Sequence, residues 1–115
     1  MINLDGVTMF VSSTAENGVV GGETRLHFAQ RGTRVAARYA GGRVGRGWLV
    51  GRWNADTLHF RYVQREDGSV IHAGHSACSV EQLPDGRLRL IERFVWSTRA
   101  GSGVNVFDEL ATPGS

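Results

Sequence analysis

The chain has 115 residues, a length that fits one domain with its own hydrophobic core. Its formal net charge is only +2, yet all 13 basic residues are arginine, so a Schiff-base lysine and a phosphate-loop lysine are excluded. The single cysteine, Cys78, excludes an internal disulfide, and the start of the chain lacks a secretory-signal pattern, so we expect a cytoplasmic protein. No apolar run reaches the roughly 20 residues of a membrane helix, and we expect no membrane partner.

Short runs that alternate apolar and polar residues recur between glycine-containing turns, which predicts an all-β fold. The predicted strands are residues 6–13, 19–30, 34–40, 43–53, 57–65, 69–81, 87–98 and 104–110. The pair Asn17-Gly18 predicts a tight hairpin between the first two strands, and Leu83-Pro84-Asp85-Gly86 predicts the turn before the seventh. Eight strands joined by short turns favour a closed, antiparallel, up-and-down barrel of lipocalin-like shape, with a two-sheet sandwich as the alternative.

Several glycines lie inside predicted strands, where glycine relieves crowding or marks a bend. We interpret Gly45, Gly47 and Gly51 of the fourth strand as space for neighbouring aromatic side chains. In the sixth strand, Gly74 predicts a bend or bulge.

Glu92 is the most informative single residue, because strand alternation places it on the same face as Leu90 and Phe94. A carboxylate among apolar side chains needs a partner or a raised pKa. Arg46 or Arg61 could supply that partner if a bulge shifts the alternation. Two interpretations stay open: an internal ion pair at one end of the barrel, or a carboxylate that orients a ligand or acts as an acid or base.

The sixth strand supplies a small and polar inner face, since His72, Gly74, Ser76 and Cys78 share one parity. A few polar groups among aromatic walls are typical of a small-molecule pocket. The alternative is that each aromatic ring fills the core. The candidate ligand-binding residues are Tyr39, Arg46, Trp48, Arg61, Tyr62, Ser76, Glu92 and Trp96.

Other chemistries find little support in the sequence. His72 and His75 are three residues apart on a strand and point to opposite faces, so we expect no metal site. The glycine spacing of residues 42–47 precedes no helix and therefore predicts no phosphate loop. Cys78 is interpreted as an inert buried thiol. The arginines are spread over many strands instead of forming one stripe, so we expect no nucleic-acid partner, and we expect no cofactor.

Several turn and core motifs resemble a family of small bacterial proteins commonly labelled N-acetylglutamate synthase. The resemblance rests on Glu16-Asn17-Gly18, Gly41-Gly42, Phe60-Arg61-Tyr62, and the run from Leu83 to Leu90 with Glu92. It spans residues 5–109 and implies the β-barrel fold of that family. The label itself implies acetyl transfer from coenzyme A. We do not expect that activity, because the sequence lacks a pyrophosphate loop that opens a helix.

Three functions remain open from the sequence. The first is a barrel whose interior binds a small, partly apolar molecule, either neutral or anionic. The second is a cyclase- or isomerase-type enzyme without a cofactor, in which the barrel holds its substrate in a reactive geometry and Glu92 takes part. The third is a structural or interaction barrel, with a homodimer formed through exposed Phe10, Trp53 or Val95.

Overall fold

A computed structural model describes residues 2–16 and 18–111 of the chain. It contains eight strands: β1 (Thr8–Ser13), β2 (Arg25–Arg31), β3 (Arg34–Gly41), β4 (Val44–Asn54), β5 (Thr57–Glu66), β6 (Ile71–Gln82), β7 (Leu88–Trp96) and β8 (Ser102–Glu109). Each strand pairs antiparallel with its neighbours in the chain, and β8 pairs with β1 to close the barrel. The predicted up-and-down barrel is confirmed, and the sandwich alternative is excluded.

Alternation along most of each strand separates the interior from the outer face. In β3, Val35, Ala37 and Tyr39 are buried, whereas Arg34 and Arg38 are exposed. Neighbouring strands repeat this period of two, so their apolar side chains meet in one core inside the barrel. The described residues contain no helix long and apolar enough to cross a bilayer; their one helical element is the short turn Asp67–Ser69.

One end of the barrel, called the base here, is closed by residues 2–7. Leu4 is fully buried there, and its backbone N–H donates to Oε1 of Gln30. The same oxygen accepts a hydrogen bond from Nε1 of Trp53. Trp53 is therefore only 5 % exposed, and the expectation that it forms an outer dimer surface is wrong. Phe10 is half-buried and Val95 is exposed, so a homodimer through those two residues stays a prediction.

The opposite end, called the mouth here, is covered by the connection between β1 and β2. Only three residue pairs join these strands, and β2 begins at Arg25 rather than at Val19, so the predicted tight hairpin is wrong. Residues 14–24 form a longer loop, called the mouth loop, in which Asn17 lies outside the described residues. Thr24 anchors its end, because the Thr24 hydroxyl donates to the carbonyl of Gly41 and accepts from the N–H of Gly21.

The fourth-strand glycines follow the sequence interpretation in one case of three. A Cβ at Gly47 would lie 2.4 Å from the ring of Tyr39. At Gly51 the nearest atom to a Cβ is the backbone oxygen of His59, so this glycine accommodates the neighbouring strand backbone instead of an aromatic ring. Gly45 faces outward, and the nearest atom to a Cβ there is 3.5 Å away. Of the three, Gly47 therefore makes room for an aromatic side chain, and Gly45 and Gly51 do not.

Gly74 forms no bulge, which corrects the sequence expectation. Its register with Tyr62 on β5 and Trp96 on β7 is continuous. A Cβ at Gly74 would lie 2.3 Å from the Tyr62 hydroxyl, so this glycine lets the tyrosine lie across the inner wall of β6. The register shifts occur in β1, at the end of β3 and at the start of β4.

Candidate functional site

Glu92 lies inside the barrel, as predicted, but its partners are not arginines. Glu92 is 5 % exposed. Each of its two carboxylate oxygens accepts one hydrogen bond. The Ser76 hydroxyl donates to Oε2 at 2.6 Å, and Nδ2 of Asn105 donates to Oε1 at 2.9 Å. No ion pair involves Glu92 within the described part of the chain. Burial raises the pKa of Glu92, and these two hydrogen bonds oppose that rise.

The mouth loop is connected to Glu92 through Asn105. The Thr14 hydroxyl, at the start of the loop, donates to Oδ1 of Asn105 at 2.7 Å. Gly18 packs against the same pair, and a Cβ there would lie 2.5 Å from Oγ1 of Thr14. The loop therefore sits on a hydrogen-bonded chain that ends at the buried carboxylate.

A second polar chain crosses the mouth from Tyr39 to Arg99. The Tyr39 hydroxyl donates to Oε1 of Gln64 at 2.8 Å, and Nε2 of Gln64 donates to Oε2 of Glu66 at 2.9 Å. Arg99, in the turn between β7 and β8, forms an ion pair with the same Glu66 oxygen. Its guanidinium carbon lies 4.0 Å from the ring centroid of Trp96. These contacts hold Arg99 against the inner wall, where its guanidinium stacks on the ring of Trp96.

Tyr62 stands between the two chains, and its hydroxyl has no hydrogen-bond partner among the described residues. The residue is 7 % exposed, and its ring packs edge-on against Trp96. Burial raises the pKa of Tyr62 most, and the charge of Glu92 raises it further. Tyr62 is therefore a neutral donor near the carboxylate, and its own donor capacity is unused.

A small cavity of about 30 Å³ lies at this point of the interior. A water molecule needs roughly 10–15 Å³ measured in this way, so the cavity has room for about two. The cavity lining combines aromatic, aliphatic and polar side chains with the inner part of the mouth loop: Gly18, Val19, Val20, Leu26, Tyr39, Leu49, Tyr62, Gln64, Glu92, Phe94, Trp96, Asn105 and Phe107. This cavity lies on the mouth side of the interior, whereas Leu4, Leu58 and Leu90 are completely buried at the base.

Five of the eight candidate residues lie on the inner wall, and four of them line the cavity. The cavity-lining four are Tyr39, Tyr62, Glu92 and Trp96, and Ser76 is buried behind them on Glu92. The expectation that the other three, Arg46, Trp48 and Arg61, lie inside the barrel is wrong.

Arg46, Trp48 and Arg61 lie on the outer face. This corrects the expected place of the two arginines beside Glu92 and of Trp48 in the pocket wall. The shift at the start of β4 ends before Arg46, and from there regular alternation directs even-numbered β4 residues outward. In β5 the alternation is continuous, so burial of Tyr62 forces Arg61 to the outside. Arg46 stacks on Trp48 instead, with 5.8 Å between the guanidinium carbon and the ring centroid.

The sequence interpretation missed the polar residues that complete the site: Thr14, Gln64, Glu66, Arg99 and Asn105. Parity alone could have found three of them. Gln64 and Glu66 continue the inward series of Tyr62, and Asn105 has the parity of Phe107. Thr14 and Arg99 lie in loops, where no alternation exists to indicate their direction.

Metal-binding and thiol chemistry have little basis in this interior. His72 points inward, with Nδ1 2.7 Å from the Thr98 hydroxyl, whereas His75 is exposed on the other face. The described residues hold no group of three or more side chains suited to a metal ion. Cys78 is completely buried, and burial raises the pKa of its thiol well above the usual range.

Comparison with known proteins identifies a family that this chain resembles. The sequence profile of a family described as avidin-like protein matches residues 2–110. Searches of the curated proteins and of the solved structures each returned no match.

Proposed function

We propose that this chain, which belongs to the avidin-like protein family, binds a small, partly apolar organic molecule at the mouth end of its barrel. The observation that carries the proposal is the buried Tyr62 hydroxyl, which has no hydrogen-bond partner among the described residues and belongs to a side chain that lines the same cavity as Glu92. A buried polar group without a hydrogen bond costs roughly 1–3 kcal/mol. An acceptor atom of a ligand would remove that cost.

The polar groups of the cavity favour a ligand that presents both a donor and an acceptor. A carboxylate offers about four lone-pair sites, and Ser76 and Asn105 use two of those on Glu92. A ligand N–H can therefore donate to Glu92 while its carbonyl accepts from Tyr62. Phe94 and Trp96 provide aromatic surface for the apolar body. Cyclic amides and cyclic ureas combine these features in a compact shape.

The size of the cavity requires movement at the mouth when such a molecule enters. Ligand pockets usually have volumes of roughly 300–1,000 Å³, whereas this cavity has about 30 Å³. Strand residues are held by the sheet, but Val19 and Val20 belong to the mouth loop. We expect these two residues to move outward, since surface loops rearrange more readily than sheet walls.

Native mass spectrometry of the protein purified from its source is the first experiment, because a retained molecule would appear as added mass. The same preparation is then unfolded and its small-molecule fraction is fragmented for identification. We expect a compact compound with an amide- or urea-like head. If nothing is retained, and no cyclic amide or urea of a defined panel raises the melting temperature, the proposal fails.

Two tyrosine variants separate binding from folding. Tyr62→Phe removes an unsatisfied hydroxyl, so we expect the free protein to keep or gain up to about 1 kcal/mol in its free energy of unfolding. The same change should weaken binding of the identified molecule about tenfold. Tyr39→Phe is the matched control, because it removes the donor to Gln64 and should lower the free energy of unfolding by about 1 kcal/mol. Unchanged affinity in Tyr62→Phe would overturn the assigned role.

A further inference from the structure

The arginines of this chain gather on one side of the barrel. Residues 25–65 contain nine arginines and one acidic residue, Asp56, whereas the rest of the chain contains four arginines and ten acidic residues. Eight of these nine arginines lie on four consecutive strands, and the antiparallel pairing of those strands brings their side chains onto one outer surface; the ninth, Arg43, lies in a turn. The sequence expectation of dispersed arginines is wrong for this reason.

The resulting surface, called the arginine face, is the outer side of β2–β5. Seven of its eight strand arginines are exposed, and Arg25 is half-buried. The members are Arg25, Arg31, Arg34, Arg38, Arg46, Arg52, Arg61 and Arg65. The ion pairs of the described residues involve other arginines, so none of these eight has a carboxylate partner there.

The strand register places like charges directly opposite one another. Arg34 pairs across the sheet with Arg31 on one side and with Arg52 on the other, and Arg46 pairs with Arg65. Directly opposed like charges destabilise a sheet. Neighbouring carboxylates would relieve that repulsion within the protein, but no described carboxylate, the nearby Asp5 included, forms an ion pair with these arginines. An external anion would neutralise it.

The face has the shape of two shallow troughs rather than a smooth convex wall. The larger, of about 980 Å³, has a floor of small or branched residues that includes Ala36, Val50 and Gly51. Arg34, Arg52 and Arg61 stand along it, and Asp5 lies on its lining. The second, of about 380 Å³, contains Arg25, Arg38 and Arg46. A trough that crosses several strands fits an extended chain better than a flat bilayer.

Trp48 adds an aromatic surface to this charged region. It is 48 % exposed, lines the second trough, and lies beside Arg38 in the sheet register and under the guanidinium of Arg46. Arginine forks match phosphate geometry, and exposed aromatic rings stack on nucleobases. We propose that the arginine face binds single-stranded nucleic acid, with its guanidinium groups on the phosphates and Trp48 against a base.

The test measures anisotropy of a fluorescein-labelled 20-nucleotide oligothymidylate with the whole protein, between 50 and 300 mM NaCl. Arg34→Gln with Arg52→Gln removes two facing charges. We expect about tenfold weaker binding at the lowest salt and a slope of log K against log salt reduced by about 1.4. The control, Arg87→Gln with Arg93→Gln, removes the same charge from β7 and the turn before it, off the face, and should leave the slope unchanged. Equal losses in both double variants would overturn the assignment to this face.

Trp48 supplies an independent readout, because Trp53 and Trp96 are buried. Oligothymidylate should quench the fluorescence of the exposed tryptophan, and Trp48→Ala should weaken binding about tenfold without changing the salt slope.

Two competing probes test other anionic partners: vesicles of phosphatidylcholine with 30 % phosphatidylglycerol, and a polyglutamate chain. Binding to either as tight as to oligothymidylate, or no binding to oligothymidylate at 50 mM NaCl, would overturn the proposal. Melting temperatures of all variants establish that each is folded.

Discussion

The base and the mouth of this barrel are built from the same alternating strands, yet their interiors differ in kind. At the base, Leu4, Leu58 and Leu90 are completely buried. At the mouth, the Glu92 carboxylate and the Tyr62 hydroxyl, which has no partner in the described part of the chain, are buried beside a cavity. The comparison indicates that the base supplies stability, whereas the mouth retains polar groups that are costly to bury without a ligand.

The largest effect on the free energy of unfolding is expected when a buried side chain is removed from the base. Leu58→Ala removes a side chain that is 0 % exposed, and the cavity left behind should lower the free energy of unfolding by about 2–5 kcal/mol. Urea denaturation followed by circular dichroism measures the change. Val63→Ala is the control on the same strand, because Val63 is 41 % exposed on the outer face and should change the value by less than about 0.5 kcal/mol. Equal losses would contradict the division between base and outer surface.

At the mouth, adding one methyl group should lower the free energy of unfolding more than its size suggests. In Gly47→Ala the new Cβ would lie 2.4 Å from the buried ring of Tyr39, so we expect a loss of about 1–3 kcal/mol in the free energy of unfolding. Gly45→Ala is the matched control two residues earlier, where the nearest atom is 3.5 Å away. Thermal unfolding of both variants measures the difference. A Gly47→Ala protein as stable as Gly45→Ala would show that the Tyr39 ring moves aside without cost.

The same contrast explains how much of the molecule could be predicted from the sequence. Alternation is a property of the strand itself, so the barrel and the inward direction of Tyr39, Tyr62 and Glu92 followed from it. Arg46 and Arg61 were misplaced because a bulge was assumed in order to bring charge to Glu92. In the structure, neutral donors on Ser76 and Asn105 meet that need.

Longer-range features lay beyond the sequence pattern. The Asn17-Gly18 pair predicted a tight hairpin, but β2 begins only at Arg25, and residues 14–24 form the mouth loop over an interior that local propensity does not describe. The arginine face also needed three-dimensional information, because charges spaced along four strands become neighbours only when the register is known.

The ionisation of Glu92 makes the free energy of unfolding depend on pH. This smaller effect distinguishes the mouth from the base. Its folded pKa is raised by burial, so the folded state holds a proton that the unfolded state has released above a pKa of about 4.3. Stability from this group is complete below that pH and is lost as pH rises through the folded pKa, with a slope of at most about 1.4 kcal/mol per pH unit.

Glu92→Gln tests this directly, because the amide can accept from Asn105 and donate to the Ser76 hydroxyl while carrying no titrating group. The difference in free energy of unfolding between wild type and variant should move in favour of the variant as pH rises from 4. Asp108, whose pKa is lowered mainly by its hydrogen bond from Arg89, titrates in both proteins and cancels in the difference. A difference that stays constant with pH would mean that Glu92 ionises in the folded protein as it does in the unfolded chain.

The smallest expected change concerns Cys78, which lies in the register opposite Leu58 and Glu92 and is 0 % exposed. The thiolate is the reactive form, and burial together with the Glu92 charge raises the thiol pKa. Treatment of the folded protein with 5,5′-dithiobis(2-nitrobenzoate) at pH 8 should therefore release almost no thionitrobenzoate until urea unfolds the barrel. Cys78→Ala should lower the free energy of unfolding without affecting ligand binding at the mouth. Rapid labelling of the native protein would show that solvent reaches Cys78 through the wall of β6. The distinction between a closed interior and a hollow mouth would then not hold.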